Sequence, residues 1–577
     1  MKINFTLIRL YQKNIFSCIV LLFGGVIITP THAQDFSNIR GQKPVTLNGS
    51  FESRGTFYNA NGIANRRQPF SYLFNVAATL NIYGLSIPFS GTYSEADRSF
   101  RQPFNQFGIS PTYKWITLHG GYRNIDYSPY TLGGHTMLGG GIELHPGKLR
   151  LGFMYGKLNR ATTIDTTTQA LVPYSFSRTA YAGKIGYGTD RTFFEFSYLQ
   201  AKDDSTTISR NSVKADQYIA PASNNVLGYN TRITFLKRFT LETRGAVSIY
   251  TRDMNSPITI SEKEKIIKEL KKYMEVNGTT EFYTALDASL TYRARNYGLK
   301  VDYKRIDPEY KTMGAYFFNS DLEAWTFGPS LSIFKNRLRL SGSVGFQHDN
   351  LLDQKRSTNK RVIGSGSLSL DISKALAVDM NYSNFSNNQT PNTLRLYPDS
   401  LRIVQATQNA TIAPRYTIMK TNTMQIVSVS ASQNKLSDYN QVITSGKSSN
   451  STIDTKQYFI NYSINFLKKG IGAFVNVNRT ELTSIILNNT YQGFTAGFYG
   501  TFLKKLQVNL NNSVTQGITQ QGKSLVLNST AIVSYNITKK QQFRTSLFYT
   551  SNKPSVESKQ TSFNEFRNEI SYVVNFR

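Results

Sequence analysis

The sequence predicts an all-β fold, a transmembrane antiparallel β-barrel of about 26 strands (roughly 22 to 28) with one short helix in an outer loop. Three observations predict it. Apolar and polar residues alternate with period two through segment after segment, so each has one apolar and one polar face. Short and long connections alternate along the chain. Aromatic residues reach 13%, with 35 Tyr and 37 Phe, in a chain whose mean hydropathy is only −0.34. The same composition removes other classes. Aromatic and β-branched residues are too abundant for disorder. One cysteine in 577 residues cannot staple a disulfide scaffold. No apolar run after the N-terminus approaches the ~20 residues of a spanning helix.

The elements follow in chain order. Lys2, Arg9 and Lys13 precede an apolar stretch from Ile15 to Ile28, and Thr31-His32-Ala33 offers small residues at −3 and −1. This pattern predicts an export signal over 1–33, cleaved after Ala33. The mature chain, Gln34 to Arg577, then contains no cysteine and must be stabilised without disulfides. Residues 34–44 form a short extension, and the barrel occupies 45–577, with strand one near 45–57.

The clearest strand pair lies in Gln457–Asn478. Tyr458, Ile460, Tyr462, Ile464 and Phe466 alternate with polar neighbours, Lys468-Lys469 interrupt, and Ile471, Ala473, Val475 and Val477 resume the pattern. Leu338, Leu340, Val344 and Phe346 repeat it, as do Leu368, Leu370 and Ile372 with Leu376, Val378, Met380 and Tyr382. Short connections are often basic, as at Lys237-Arg238, Lys335-Asn336 and Lys504-Lys505. Long ones are rich in Ser, Thr, Asn and Gln, and are expected at 203–224, 307–321, 387–410, 435–455 and 552–562. Strands near 105–123 and 411–434 are weakly marked.

Four features carry functional expectations. The Gly-rich stretch from Gly120 to Gly156 either lets loop 125–135 fold inward as a constriction or serves barrel curvature and bulges. A helix is expected over about 258–278. Ser261-Glu262-Lys263-Glu264 is a capping box, and Ile266, Ile267, Leu270, Tyr273 and Met274 recur at helical spacing before Asn277-Gly278. It is either a lid on the barrel mouth or a helix packed on neighbouring loops. Lys and Arg number 66 against 36 Asp and Glu, a net charge of +30. His119, Arg123, Arg337 and Arg339 fall on the polar, lumen-facing register, and a basic lumen favours anions. Finally, Tyr572, Val574 and Phe576 mark the last strand, 563–576.

At these residues the chain resembles bacterial outer-membrane β-barrel proteins as a class, whose last strand ends in an aromatic residue. The resemblance implies recognition of Tyr572, Val574 and Phe576 by the barrel-assembly machinery, although here Arg577 follows Phe576. It also implies a Gram-negative outer-membrane location, with lipid and lipopolysaccharide as surroundings, and makes 34–44 a periplasmic extension. It names no subfamily. The ten or so residues before strand one leave no room for the plug domain of TonB-dependent receptors.

The expected function is transport or translocation across the outer membrane, as a channel or as the barrel of a larger complex. A loop-closed barrel that docks surface or periplasmic envelope proteins is the second reading, and an outer-membrane hydrolase the third. No HExxH, GxSxG or metal-type Cys/His cluster occurs, so no enzyme activity, metal or other cofactor is expected. The charge is spread over strands and turns, which argues against nucleic acid as a partner.

Overall fold

The structure is a computed structural model that describes residues 45–94, 107–162, 175–208, 219–260, 268, 271–315, 319–355, 357–391, 403–444, 447–484, 487–556, 558 and 560–576. The wall is one antiparallel sheet of twenty-seven stretches of strand. Two of these, Phe107–Ile109 and Thr112–Tyr113, are halves of one barrel strand broken at Ser110-Pro111, so the barrel has 26 strands. Proline has no N–H to give a ladder, which accounts for both the break and the weak sequence signal there.

The sheet closes when the last strand, Phe563–Phe576, pairs with the first, Val45–Asn61, from Gly49↔Phe576 to Asn61↔Asn564. Closure removes every sheet edge, the condition for strands to cross lipid with their backbone groups satisfied. The even strand number and the short-turn position of both ends agree with the rule for bacterial barrels.

Short turns join strands at one rim. Leu236-Lys237, Lys335-Asn336 and Leu503-Lys504 all take left-handed φ values between 49° and 70°, within tight connections of three or four residues, as Phe235↔Phe239, Phe502↔Leu506 and Ile333↔Leu338 show. The expected pair at 457–478 is present as strands Lys447–Phe466 and Ile471–Thr483, in register from Phe466↔Ile471.

The outward register is apolar. Tyr458, Ile460, Tyr462 and Phe466 are exposed, as are Phe194, Phe196 and Tyr198 on strand Phe193–Asp203. Aromatic rings chain around the rims. Near the short turns Phe235, Phe239, Tyr292 and Tyr297 follow one another at 5.3, 4.8 and 5.9 Å. Toward the opposite rim Tyr155 stacks on Tyr181 at 4.6 Å, and Tyr303 meets Trp325 at 4.6 Å. These are the girdles that seat a barrel in a bilayer.

Two of the expected long loops are largely strand. Leu376–Pro391 pairs with Ile403–Met419, and Thr423–Thr444 with Lys447–Phe466. A 22-residue strand is about twice what a bilayer needs, so this hairpin stands well beyond it. Above the membrane both faces of a strand meet water. Period two then vanishes from the sequence while the backbone pairing continues. Of the helix expected at 258–278, residues 261–267 and 269–270 lie outside the described residues. Among the described residues, 271–274 are turn and bend.

Candidate functional site: a lumen filled on one side

The connection 125–135 leaves the rim and runs into the barrel. Ile125, Tyr127, Tyr130, Thr131 and Leu132 are buried against inward-facing wall residues. A second inward segment, 307–315, meets it. Leu132 bridges Gly314, and the Gly133 N–H donates to the Gly314 carbonyl at 3.0 Å. Tyr310 Oη donates to the Tyr130 carbonyl at 2.7 Å, Thr312 Oγ1 to the Thr131 carbonyl at 2.6 Å, and the two tyrosine rings meet edge-on at 6.1 Å.

The wall beneath them is made of small or apolar residues. Met154, Ala180, Ala182, Leu199, Ala201, Val226 and Ala246 all point inward and are buried. Gly228 shows why size matters: a Cβ there would stand 2.7 Å from Thr131 Cγ2, closer than real carbon contacts. Within the Gly-rich stretch itself both readings have support: a Cβ on Gly152 would stand 2.8 Å from Tyr127 Oη of the inward loop, while one on Gly139 or Gly156 would run into the backbone of the neighbouring strand.

Polar bonds pin the loops to the wall. Thr131 Oγ1 lies 3.0 Å from Ser197 Oγ, and Tyr130 Oη donates to Asp287 Oδ2 at 2.8 Å. The Met313 N–H donates to Asn224 Oδ1 at 2.9 Å, and Ser248 Oγ to the Lys311 carbonyl at 2.7 Å. Burial holds the Tyr130 and Tyr310 phenols far above their ordinary pKa, so both stay neutral donors. Burial also pushes the His135 imidazole down to about 4, with its Nδ1–H donated to the Thr136 carbonyl at 2.9 Å.

The other side of the lumen is different. On strands Leu338–His348, Ser357–Asp371 and Leu376–Pro391, Ser341, Ser365, Ser367 and Asn381 face inward yet remain exposed. Gln457, Asn509 and Asn528 continue this lining on later strands. Among the described residues no segment covers this side, where hydroxyl and amide groups form the wall.

Inward charges are mostly paired. Arg178 binds Asp203 at 2.7 Å, and Arg150–Glu195, Arg232–Glu242 and Arg244–Asp287 are each 2.9 Å. The residues singled out from sequence do not come together. His119 and Arg123 face inward near the first half of the wall. His119 lies between Ser110 Oγ (2.8 Å) and Glu143 Oε2 (3.2 Å), and Glu143 also holds Lys184 at 3.4 Å. This chain has residue types found in hydrolases, but His119 faces the lumen, away from lipid, with its side chain 9% exposed. Arg123 donates from Nε to the Ile109 carbonyl at 3.2 Å.

Arg339 is on the inner register and is neutralised by Asp371 at 3.1 Å, while Arg337 stands exposed in the turn before that strand. Tyr273 is exposed, and its carbonyl accepts from Gln200 Nε2 at 3.0 Å, a residue on the outward register. Met274 is half-buried, and Ile266, Ile267 and Leu270 lie outside the described residues. Tyr572, Val574 and Phe576 occupy the outward register at the short-turn end of the last strand. The inward segment 307–315 carried no signal beyond its length. Tyr310, Thr312 and Met313 read as ordinary loop residues until the wall they touch is known.

A closed antiparallel barrel with an apolar, aromatic-girdled exterior and a polar interior defines the class: the outer-membrane β-barrel proteins of Gram-negative bacteria. No protein-family model matches the sequence, and no curated protein is similar to it. Solved structures with a similar barrel include the translocation pore of the P pilus usher PapC, at 10% identity over 92% of this chain and 99% of that one, with a TM-score of 0.37. The FrpB iron transporter of Neisseria meningitidis shares 12% identity over 91% of this chain and 81% of that one, TM-score 0.39. OccAB2 of Acinetobacter baumannii shares 6% over 62% and 93%, TM-score 0.30. The likeness is one of general fold alone.

Proposed function

We propose that this chain is a transport barrel of the outer membrane, a channel or the barrel of a larger complex. Its path runs along the Ser- and Asn-lined side of the lumen. One observation carries the reading. Ser341, Ser365, Ser367 and Asn381 face inward and stay exposed, while the opposite wall is covered by segments 125–135 and 307–315. A barrel of this size has interior space that wall side chains alone do not fill. The inward segments occupy one side of it and leave the other to solvent.

The paired inward charges support weak ion selectivity rather than the anion preference that Arg339 and His119 suggested, because each is balanced by a carboxylate. Residues 271–278 act as a brace on the outside of the wall rather than a lid. The Gln200–Tyr273 bond and the Lys202–Glu275 pair, both from the outward register, support this. The export signal is removed after Ala33, and the assembly machinery reads Tyr572, Val574 and Phe576. Catalysis forms no part of this reading.

The test is single-channel recording of refolded Gln34–Arg577 in a planar bilayer, with reversal potentials in a salt gradient. Steady currents with a reversal potential near zero are expected. Silence from a correctly folded barrel would overturn the open channel. It would favour a docking barrel for envelope partners, a role the tall hairpin Thr423–Phe466 would suit.

A further inference from the structure

The open side of the lumen carries aromatic rings in an unusual posture. Phe474 on strand Ile471–Thr483 and Tyr499 on strand Asn488–Phe502 both lie on the inward register. Each is paired across the ladder with an inward glycine, Phe474↔Gly497 and Gly472↔Tyr499. A Cβ on Gly472 would stand 2.6 Å from Tyr499 Cζ, and one on Gly497 would overlap the Phe474 ring. Both rings therefore lie flat against the wall and turn a face to the lumen, with centroids 6.5 Å apart. Tyr491 lies over Gly517 one strand further in the same way. All three rings are half-exposed. Asn461, Asn465, Asn476 and Asn478 stand on the same inner face, with Asn465 accepting from Tyr499 Oη.

The charge on this side is as informative as the rings. At mid-height the inward residues from Ser341 to Thr530 are mainly Ser, Thr, Asn, Gln, Gly and aromatic residues, with Ile363 and Ala413 among them, and Arg361 stands higher, toward the long-loop rim. The inward charges Arg339, Asp371, Asp379 and Arg415 gather near the short-turn rim. A charged polymer would meet nothing here to neutralise it. A chain of hydroxyl-rich rings would meet what it needs: electron-rich faces for its C–H surfaces, and amides and hydroxyls for its edges.

Resting on the transport reading, we propose that the Phe474–Tyr499 pair near the short-turn rim, with Tyr491 a separate platform eight residues and roughly 26 Å further along the same strand, binds an unbranched, uncharged oligosaccharide and guides it along the open side of the lumen. Flat rings over glycine also stabilise a sheet, so the test must separate binding from folding.

The experiment is saturation-transfer NMR on refolded Gln34–Arg577 in detergent, with maltohexaose, cellohexaose, laminarihexaose and chitohexaose as probes. Polyethylene glycol of matching size is the non-stacking control, and single-channel block by the same sugars is recorded in parallel. At least one hexaose should bind while the glycol does not. The double variant Phe474→Ala/Tyr499→Ala should bind it about tenfold more weakly or worse. Phe474→Tyr/Tyr499→Phe keeps both ring faces and should retain binding to within roughly threefold. Heat-modifiable gel mobility checks that each variant is folded.

A conducting barrel that binds no hexaose, or binds it equally well without the rings, overturns the sugar track and leaves the channel standing. A silent barrel that binds through the rings upholds the track and overturns the open channel. A silent barrel without binding overturns both.

Discussion

The two sides of the barrel use one backbone rule and arrive at opposite interiors. Between Thr136 and Ile306 the uncharged inward residues are mainly Ala, Gly, Met, Leu and Val, buried beneath folded-in loops, with ion pairs such as Arg150–Glu195 and Arg244–Asp287 among them. From Leu338 to Asn536 the inward register is mainly Ser, Thr, Asn and Gln, with the Phe474, Tyr491 and Tyr499 rings and charges such as Arg339 and Asp371, and no described segment covers it. Outward residues on both sides are the same apolar, aromatic set. Lipid fixes the outer face of every strand, while the inner face is free to become either a core or a channel lining. In this chain it becomes both.

This difference can be broken in order of expected effect. Deleting 126–133 should raise single-channel conductance several-fold, because it removes the segment that narrows the lumen. Trimming the tall hairpin at 440–450 should leave conductance unchanged. Recordings of the two deletions side by side check this.

A charge placed on each side comes next. Leu199→Asp buries a carboxylate in a packed site and should cost about 3 kcal/mol or more. Ser367→Asp faces water and should change stability by no more than about 0.5 kcal/mol. Urea midpoints of the barrels in lipid vesicles read both.

Acid acts on the filled side alone. His135 is held near 4 in the fold by burial against 6.5 in the unfolded chain, so the fold favours its neutral form. The stability it lends to the loop is complete above pH 6.5 and is lost as pH falls toward 4. Brief openings in the current trace should become more frequent between those values, and His135→Gln should flatten the change.

The smallest effect is a designed absence. Thr131→Cys with Ser197→Cys, whose hydroxyls now lie 3.0 Å apart, should cross-link under oxidation without altering conductance, because the loop is already seated. A fall in conductance on oxidation would show that the loop moves.

Much of the wall was legible in the sequence, because lipid imposes period two on any strand that crosses it. The last strand matches its expected bounds, 563–576, and the basic short turns fall where Lys237-Arg238 and Lys335-Asn336 indicated. The signal failed where that constraint lapses. Pro111 breaks a strand that the sequence marks weakly, and residues 435–455 pair above the membrane, where polarity on both faces reads as loop. The site was half legible. Glycines from 120 to 156 pointed to an inward loop at 125–135, since close approach needs small residues. Its partner at 307–315 was hidden, because Tyr310 and Thr312 acquire meaning only from Tyr130 and Thr131, about 180 residues away. The lumen-facing register of His119, Arg123 and Arg339 was legible, but their partners were not, because the carboxylates beside His119 and Arg339 come from other strands, Glu143 and Asp371.

The claim that one side of the lumen is filled and the other open has a direct test. The one cysteine of the sequence is Cys18, so in Gln34–Arg577 single cysteines at Ala201 and Ser367 report independently. In reconstituted barrels, a charged water-soluble thiol reagent should modify Ser367→Cys at nearly the rate of a free thiol. Ala201→Cys, on the buried wall, should react about a hundredfold more slowly. Equal rates at the two positions would contradict the account.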